Sequence, residues 1–193
     1  MTLANKITLG RFAVTIVYFV LLGVVGQGIG NDQYLLYIAF FLFLAAVVGD
    51  GLDGYYARKY HQETNFGRIA DPFVDKIMIC GSFVFFLGIP ALKEVVASWM
   101  VVVILAREFL VTAIRSAAET AGIPLQVSGW GKTKMIVQSF VVATAVFYAA
   151  WVSHLEWATV VMRVLIWITL FVTAMSGVLY MIESRRLFAS KVT

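Results

Sequence analysis

Six long, mostly apolar stretches divide the chain, at 9–26, 34–57, 72–90, 95–119, 132–152 and 157–182. Each is close to the roughly 20 residues that a helix needs to cross the hydrocarbon core of a bilayer. The polar links between them are short. In lipid every backbone N–H and C=O must find its partner within the chain, so helix is the expected form. The pattern predicts an all-α integral membrane bundle of six transmembrane helices, with no length left for a separate soluble domain. The 193 residues therefore read as one membrane domain, 1–193. Composition agrees: 61% of residues are hydrophobic and 13% charged, against about 45–50% and 25% in soluble domains.

Charge placement sets an expected orientation. With the N-terminus in the cytoplasm, thirteen of the fifteen Lys and Arg residues fall at inside ends of the stretches, and Lys93 and Arg163 fall outside. Such a bias marks the cytoplasmic side of a cell membrane and places both termini there. The net charge of +4 is thus topological first and substrate-binding second, and it does not point to nucleic acid. Lys6 and Arg11 before an apolar run, with Gly26-Gln27-Gly28 after it, have the outline of a signal peptide, but the polar residues at 5–11 fit the chemistry of the site better. The single cysteine, Cys80, excludes an intrachain disulfide and reads as a small buried hydrophobe.

Four of the five aspartates, Asp50, Asp53, Asp71 and Asp75, lie at the ends of apolar stretches. Carboxylates there are costly and mark function by default. Asp50, Asp53, Gly54, Ala57 and Arg58 share one helical face, and Gly67, Asp71 and Asp75 are four apart. Pro72 alternatively marks a first helical turn with Asp71 at its cap. The link between the two groups is short, so antiparallel neighbours would bring all four carboxylates together near the cytoplasmic end. Unpaired, they would repel. Oxygen ligands select Mg²⁺ or Mn²⁺, and four carboxylates suit two such ions, an arrangement that clamps a phosphoryl group. The plain structural alternative is a network with Arg58, Arg68 and Lys76. It leaves unexplained why Gly54, Ala57 and Gly67 are small.

Asp50-Gly-Leu-Asp53-Gly54-Tyr-Tyr-Ala57-Arg58, then Gly67, Asp71 and Asp75 at their spacing, resembles the signature of the CDP-alcohol phosphotransferases at every specified position. The resemblance implies a six-helix membrane bundle that moves a phosphatidyl group from a CDP-linked lipid to an alcohol and releases CMP. It implies that Asp50, Asp53, Asp71 and Asp75 ligate two metal ions and that Asp75 is also the proton acceptor. It implies that Gly54, Ala57, Arg58, Thr64 and Gly67 lie at the cytidine diphosphate. Asn5, Thr8 and Arg11 resemble the family's amino-terminal Pro-Asn-x-x-Thr-x-x-Arg stretch, with Ala4 in place of proline. Asn5 and Thr8 join the nucleotide site on that ground, against ordinary helix capping at the membrane surface. Relatives suggest a homodimer.

Ala106-Arg107-Glu108-Phe109 with Arg115, Gly131-Lys132-Thr133-Lys134, and Ser176-Gly177 with Tyr180 resemble segments of the branch whose bacterial members make phosphatidylglycerophosphate. Departures are Gly49, where relatives often have Ser, and Met135 after Lys134. Arg107 and Arg115, eight apart, fall near one helical face, and Lys132 and Lys134 open the next stretch. Such cations suit a dianionic acceptor, glycerol 3-phosphate, with CDP-diacylglycerol as donor. Topology markers alone are the bland alternative. Within the family, inositol phosphate, serine or phosphatidylglycerol are alternative acceptors. Outside it, a cation transporter is disfavoured by acids clustered at one membrane face, and a helical scaffold by the intact signature.

Overall fold

The computed structural model describes residues 3–29, 32–59, 65–122 and 129–189; within these, the side chains of 3–7, 52–59, 65–69, 129–132 and 186–189 lie outside the described set. The described residues are almost wholly helical: α1 (Leu3–Gly26), α2 (Asp32–Lys59), α3 (Asn65–Phe86), a short α4 (Pro90–Lys93), α5 (Ser98–Thr120), α6 (Gly129–Phe147) and α7 (Glu156–Ala189). The expected stretches correspond to the six long helices. Four of these are both long and apolar enough to cross a membrane, over Thr8–Gly26, Asp32–Gly51, Thr133–Val152 and Glu156–Arg185. At about 1.5 Å per residue, α3 and α5, of 22 and 23 residues, have the length as well. Arg68, Asp71, Asp75 and Lys76 on α3, and Arg107, Glu108, Arg115 and Glu119 on α5, set them apart.

α1 packs on α2 and α3, α3 on α5, α5 on α7, α7 on α6, and α6 on α2, so the six long helices close into a ring; α3 also touches α6 across it. Tyr18, Leu22, Phe43, Phe83, Ile104 and Met162 are buried where the helices meet. The outer faces remain apolar: Phe41 is 63% exposed, Phe109 71% and Phe171 67%. A helix that is hydrophobic all round belongs in lipid.

The turns are built from local chemistry. Gly28 after α1 and Gly122 after α5 have φ of 67° and 66°, the left-handed conformation that glycine adopts without a Cβ clash. Pro72 lies inside α3, not at its first turn, which corrects the expectation of a helix start at Asp71. The reason is that α3 begins at Asn65, so Asp71 and Asp75 project from one face of a helix already under way. α6 ends in a single wider π turn at Tyr148–Val152. Gln33 donates there to the carbonyl of Ala150 (3.3 Å), while Trp151 stacks on Tyr37 with ring centroids 4.3 Å apart. Trp151, Tyr34, Trp99 and Trp157 all lie at the end of the bundle away from the aspartates, the kind of aromatic girdle that marks a membrane interface.

Candidate functional site

A cavity of about 740 Å³ opens among α2, α3, α5, α6 and α7. Its charged lining, Lys76 aside, has two poles. Asp50 from α2 and Asp71 and Asp75 from α3 form one. Arg107 and Arg115 from α5 and Lys134 from α6 form the other, together with Glu108. Between them, Phe43, Leu44 and Val47 of α2 and Ile136, Phe140 and Ala143 of α6 make apolar walls.

The acidic pole is tied together by α1. Arg11, 4% exposed, reaches across two helices. Its Nη1 meets Asp50 Oδ1 at 2.7 Å, its Nη2 meets Asp75 Oδ1, and its Nε donates to the carbonyl of Ala46 (3.1 Å). One turn earlier, Thr8 Oγ1 donates to Asp71 Oδ1 (2.8 Å). Thr8 is therefore inside a helix and bonded to a carboxylate, not capping a terminus. Gly49 makes the reach possible: a Cβ there would stand 3.2 Å from Arg11 Cγ and Cδ. Lys76, invoked in the plain structural alternative, donates instead to Thr112 Oγ1 (2.8 Å) on α5.

The basic pole is organised by a buried acid. Glu108 Oε1 accepts from Lys134 Nζ and from Arg107 Nη1 (3.1 Å), and Arg107 Nη2 donates to Ser176 Oγ (2.9 Å) on α7. Gly177 lets α7 approach, since a Cβ there would lie 2.9 Å from Arg107 Cγ. Arg115 has no carboxylate partner among the described residues. Its Nε, the Nε of Arg107 and the hydroxyl of Tyr180 are buried polar atoms without a hydrogen bond among the described residues. Buried donors of that kind are costly unless something accepts from them.

Of the residues expected from sequence, Asp50, Asp71, Asp75, Arg107, Arg115 and Lys134 line one cavity, and Thr8 bonds one of its carboxylates. Asp53, Gly54, Ala57 and Arg58 lie on the last turns of α2 and Gly67 on the first turn of α3; their side chains, those of Asn5 and Lys132, and all of Thr64 lie outside the described residues. Arg11, Glu108 and Tyr180 stand in the quoted motifs but had no role assigned at the site. The i, i+3 spacing of Thr8 and Arg11 was a usable signal for the first; for Glu108 it was the placement of an acid among cations.

Among the described side chains, no three acidic, histidine or cysteine groups gather tightly enough to hold one ion, and the side chain of Asp53 is not among them. The donors nonetheless fit an oxygen-seeking divalent cation. Asp50 and Asp75 both contact a single guanidinium, so carboxylates from α2 and α3 are gathered about one point, and carboxylate oxygens are the ligands such a cation takes.

A family model for CDP-alcohol phosphatidyltransferase matches residues 1–181. The chain is 28% identical to the CDP-diacylglycerol–glycerol-3-phosphate 3-phosphatidyltransferase of Bacillus subtilis, over 91% of each chain. It is 31% identical to the Rickettsia bellii protein of the same name, over 76% of this chain and 78% of that one. It is 32% identical to a probable phosphatidylglycerophosphate synthase of Mycobacterium tuberculosis, over 95% of this chain and 82% of that one. With nearly its whole length matched and three of the four signature aspartates, Asp50, Asp71 and Asp75, lining one cavity, the chain belongs to the CDP-alcohol phosphatidyltransferase family.

Proposed function

We propose that this chain transfers the phosphatidyl group of CDP-diacylglycerol to glycerol 3-phosphate, giving phosphatidylglycerophosphate and CMP. The observation that carries the reading is the two-poled cavity, with aspartates on α2 and α3 and an Arg115 that no described carboxylate satisfies. The names of the relatives support both substrates. The apolar wall of α2 and α6 suits a diacylglycerol donor, and Arg115 beside the Glu108-ordered pair Arg107 and Lys134 suits a dianionic acceptor.

In this reaction the acceptor hydroxyl gives its proton to Asp75. Its oxygen bonds to the phosphorus that carries diacylglycerol, and the bond from that phosphorus to the oxygen of CMP breaks, the electron pair leaving with CMP. An aspartate with a pKa of about 3.9 is a weak base, so positioning must supply most of the acceleration. Asp50, Asp53, Asp71 and Asp75 would hold two Mg²⁺ or Mn²⁺ ions, which when bound supply charge neutralisation on the diphosphate. Asn5, Thr8, Gly54, Ala57, Arg58, Thr64 and Gly67 would line the cytidine diphosphate. Arg107, Arg115, Lys132 and Lys134 would receive the acceptor phosphate. The same reading has α3 and α5 crossing the cell membrane with the other four, as one domain, 1–193, and as a homodimer. The cavity and both termini then face the cytoplasm, which the thirteen-to-two split of Lys and Arg supports.

CMP release from CDP-diacylglycerol by the purified protein tests the proposal, with glycerol 3-phosphate, glycerol, serine, inositol phosphate or phosphatidylglycerol as acceptor. Release is expected with glycerol 3-phosphate and Mg²⁺ or Mn²⁺, and its loss on chelation. Preference for any other acceptor would refute it.

A further inference from the structure

The acidic pole is held from outside the signature. α1 supplies no carboxylate to the cavity, yet Arg11 touches Asp50 on α2 and Asp75 on α3, and Thr8 touches Asp71. All three contacts are to Oδ1 atoms. Arg11 is itself pinned: its Nε bonds the Ala46 carbonyl, its own carbonyl accepts from Thr15 Oγ1 (2.8 Å), and its methylenes lie against the bare backbone of Gly49. At 4% exposure the side chain has no solvent to swing into. Its guanidinium therefore fixes both the spacing of two helices and the rotamers of two carboxylates.

We propose that Arg11 is a positioning residue for divalent-cation binding: by bridging Asp50 and Asp75, it presents the carboxylates of α2 and α3 to the ion in a single arrangement. The inference rests on the metal-dependent reading given above. A cation so close to a metal site has two opposing effects. It repels the ion, and it orders the ligands. Ordering wins here because the contacts are geometric at three points, Nε, Nη1 and Nη2, and because without Arg11 two carboxylates on separate helices would repel each other and turn apart. Groups that orient metal ligands are worth typically 10–100-fold in metal affinity.

The test is equilibrium binding of Mn²⁺ alone to the chelator-stripped full chain in detergent, read from the electron paramagnetic resonance signal of the free ion, with no substrate present. Arg11→Gln is expected to raise the Mn²⁺ Kd by about 10–100-fold, and Arg11→Lys to recover part of the loss, since an ammonium restores the charge but not the fork. Melting in the presence of chelator reports folding separately. Should Arg11→Gln not fold, Gly49→Ala decides, because its Cβ would press on Arg11 Cγ and Cδ; a Kd raised several-fold is then expected. An Arg11→Gln Kd within threefold of the parent, or a tighter one, overturns the proposal and leaves the metal reading intact, as does an unchanged Gly49→Ala when Arg11→Gln is unfolded. No Mn²⁺ binding by the parent overturns both.

Discussion

Arg107 and Arg115 look alike in sequence and differ in what they touch. The Nε of each is unsatisfied, but Arg107 is committed through its Nη atoms to Glu108 and Ser176, whereas Arg115 lines the cavity with no carboxylate partner among the described residues. Losing one hydrogen bond to a charged group costs about 1.5–3 kcal/mol, and about 1.36 kcal/mol is tenfold. Arg115→Ala should therefore raise the KM for glycerol 3-phosphate roughly ten- to a hundredfold while leaving that for CDP-diacylglycerol nearly unchanged. Steady-state kinetics with each substrate varied would check this, and equal effects on both would remove Arg115 from the acceptor site. Asp50, Asp71, Asp75 and these two arginines were legible in the sequence as residues of one site, through helical spacing together with the family signature. Arg11 was not legible as the joint of the acidic pole, because its partner Asp75 lies 64 positions away and no local periodicity reports a pairing between helices. Glu108 was seen as an ionisable neighbour of Arg107, but its bridge to Lys134 exists only once α5 and α6 are packed.

The helices themselves were read from apolar runs, and the runs fell on the elements found. Their ends were not: α1 starts well before residue 9 and α3 before residue 72, since polar residues facing a site inside the ring interrupt the apolar pattern without ending the helix. What seats α1 against α3 is Gly81. A Cβ there would stand 2.3 Å from the ring of Phe19, which is itself stacked on Phe85 at 5.2 Å and has little room to turn. Overpacking of this kind typically costs about 1–3 kcal/mol. Gly81→Ala should lower the melting temperature of the purified protein, with acceptor preference unchanged. A variant that melts like the parent would mean that α1 and α3 are more loosely seated than the packing indicates.

At the scale of the molecule, the charge asymmetry makes the topology testable. A reporter fused after Thr193 should be cytoplasmic, and tags in the 27–33 and 152–156 loops should be accessible from outside the cell. Reversal of both the 152–156 tag and the Thr193 reporter, with the 27–33 tag still outside, would mean that one of α3 or α5 does not cross. The ring also divides the site by chain order. Its acidic pole is complete once α1, α2 and α3 are in place, and its basic pole waits for α5, α6 and α7. The described acidic pole and its guanidinium are thus carried by residues 11–75, ahead in the sequence of every cation of the basic pole. Arg11, on the first helix, supplies Asp50 and Asp75 with a counter-charge that depends neither on the second half of the chain nor on a bound ion.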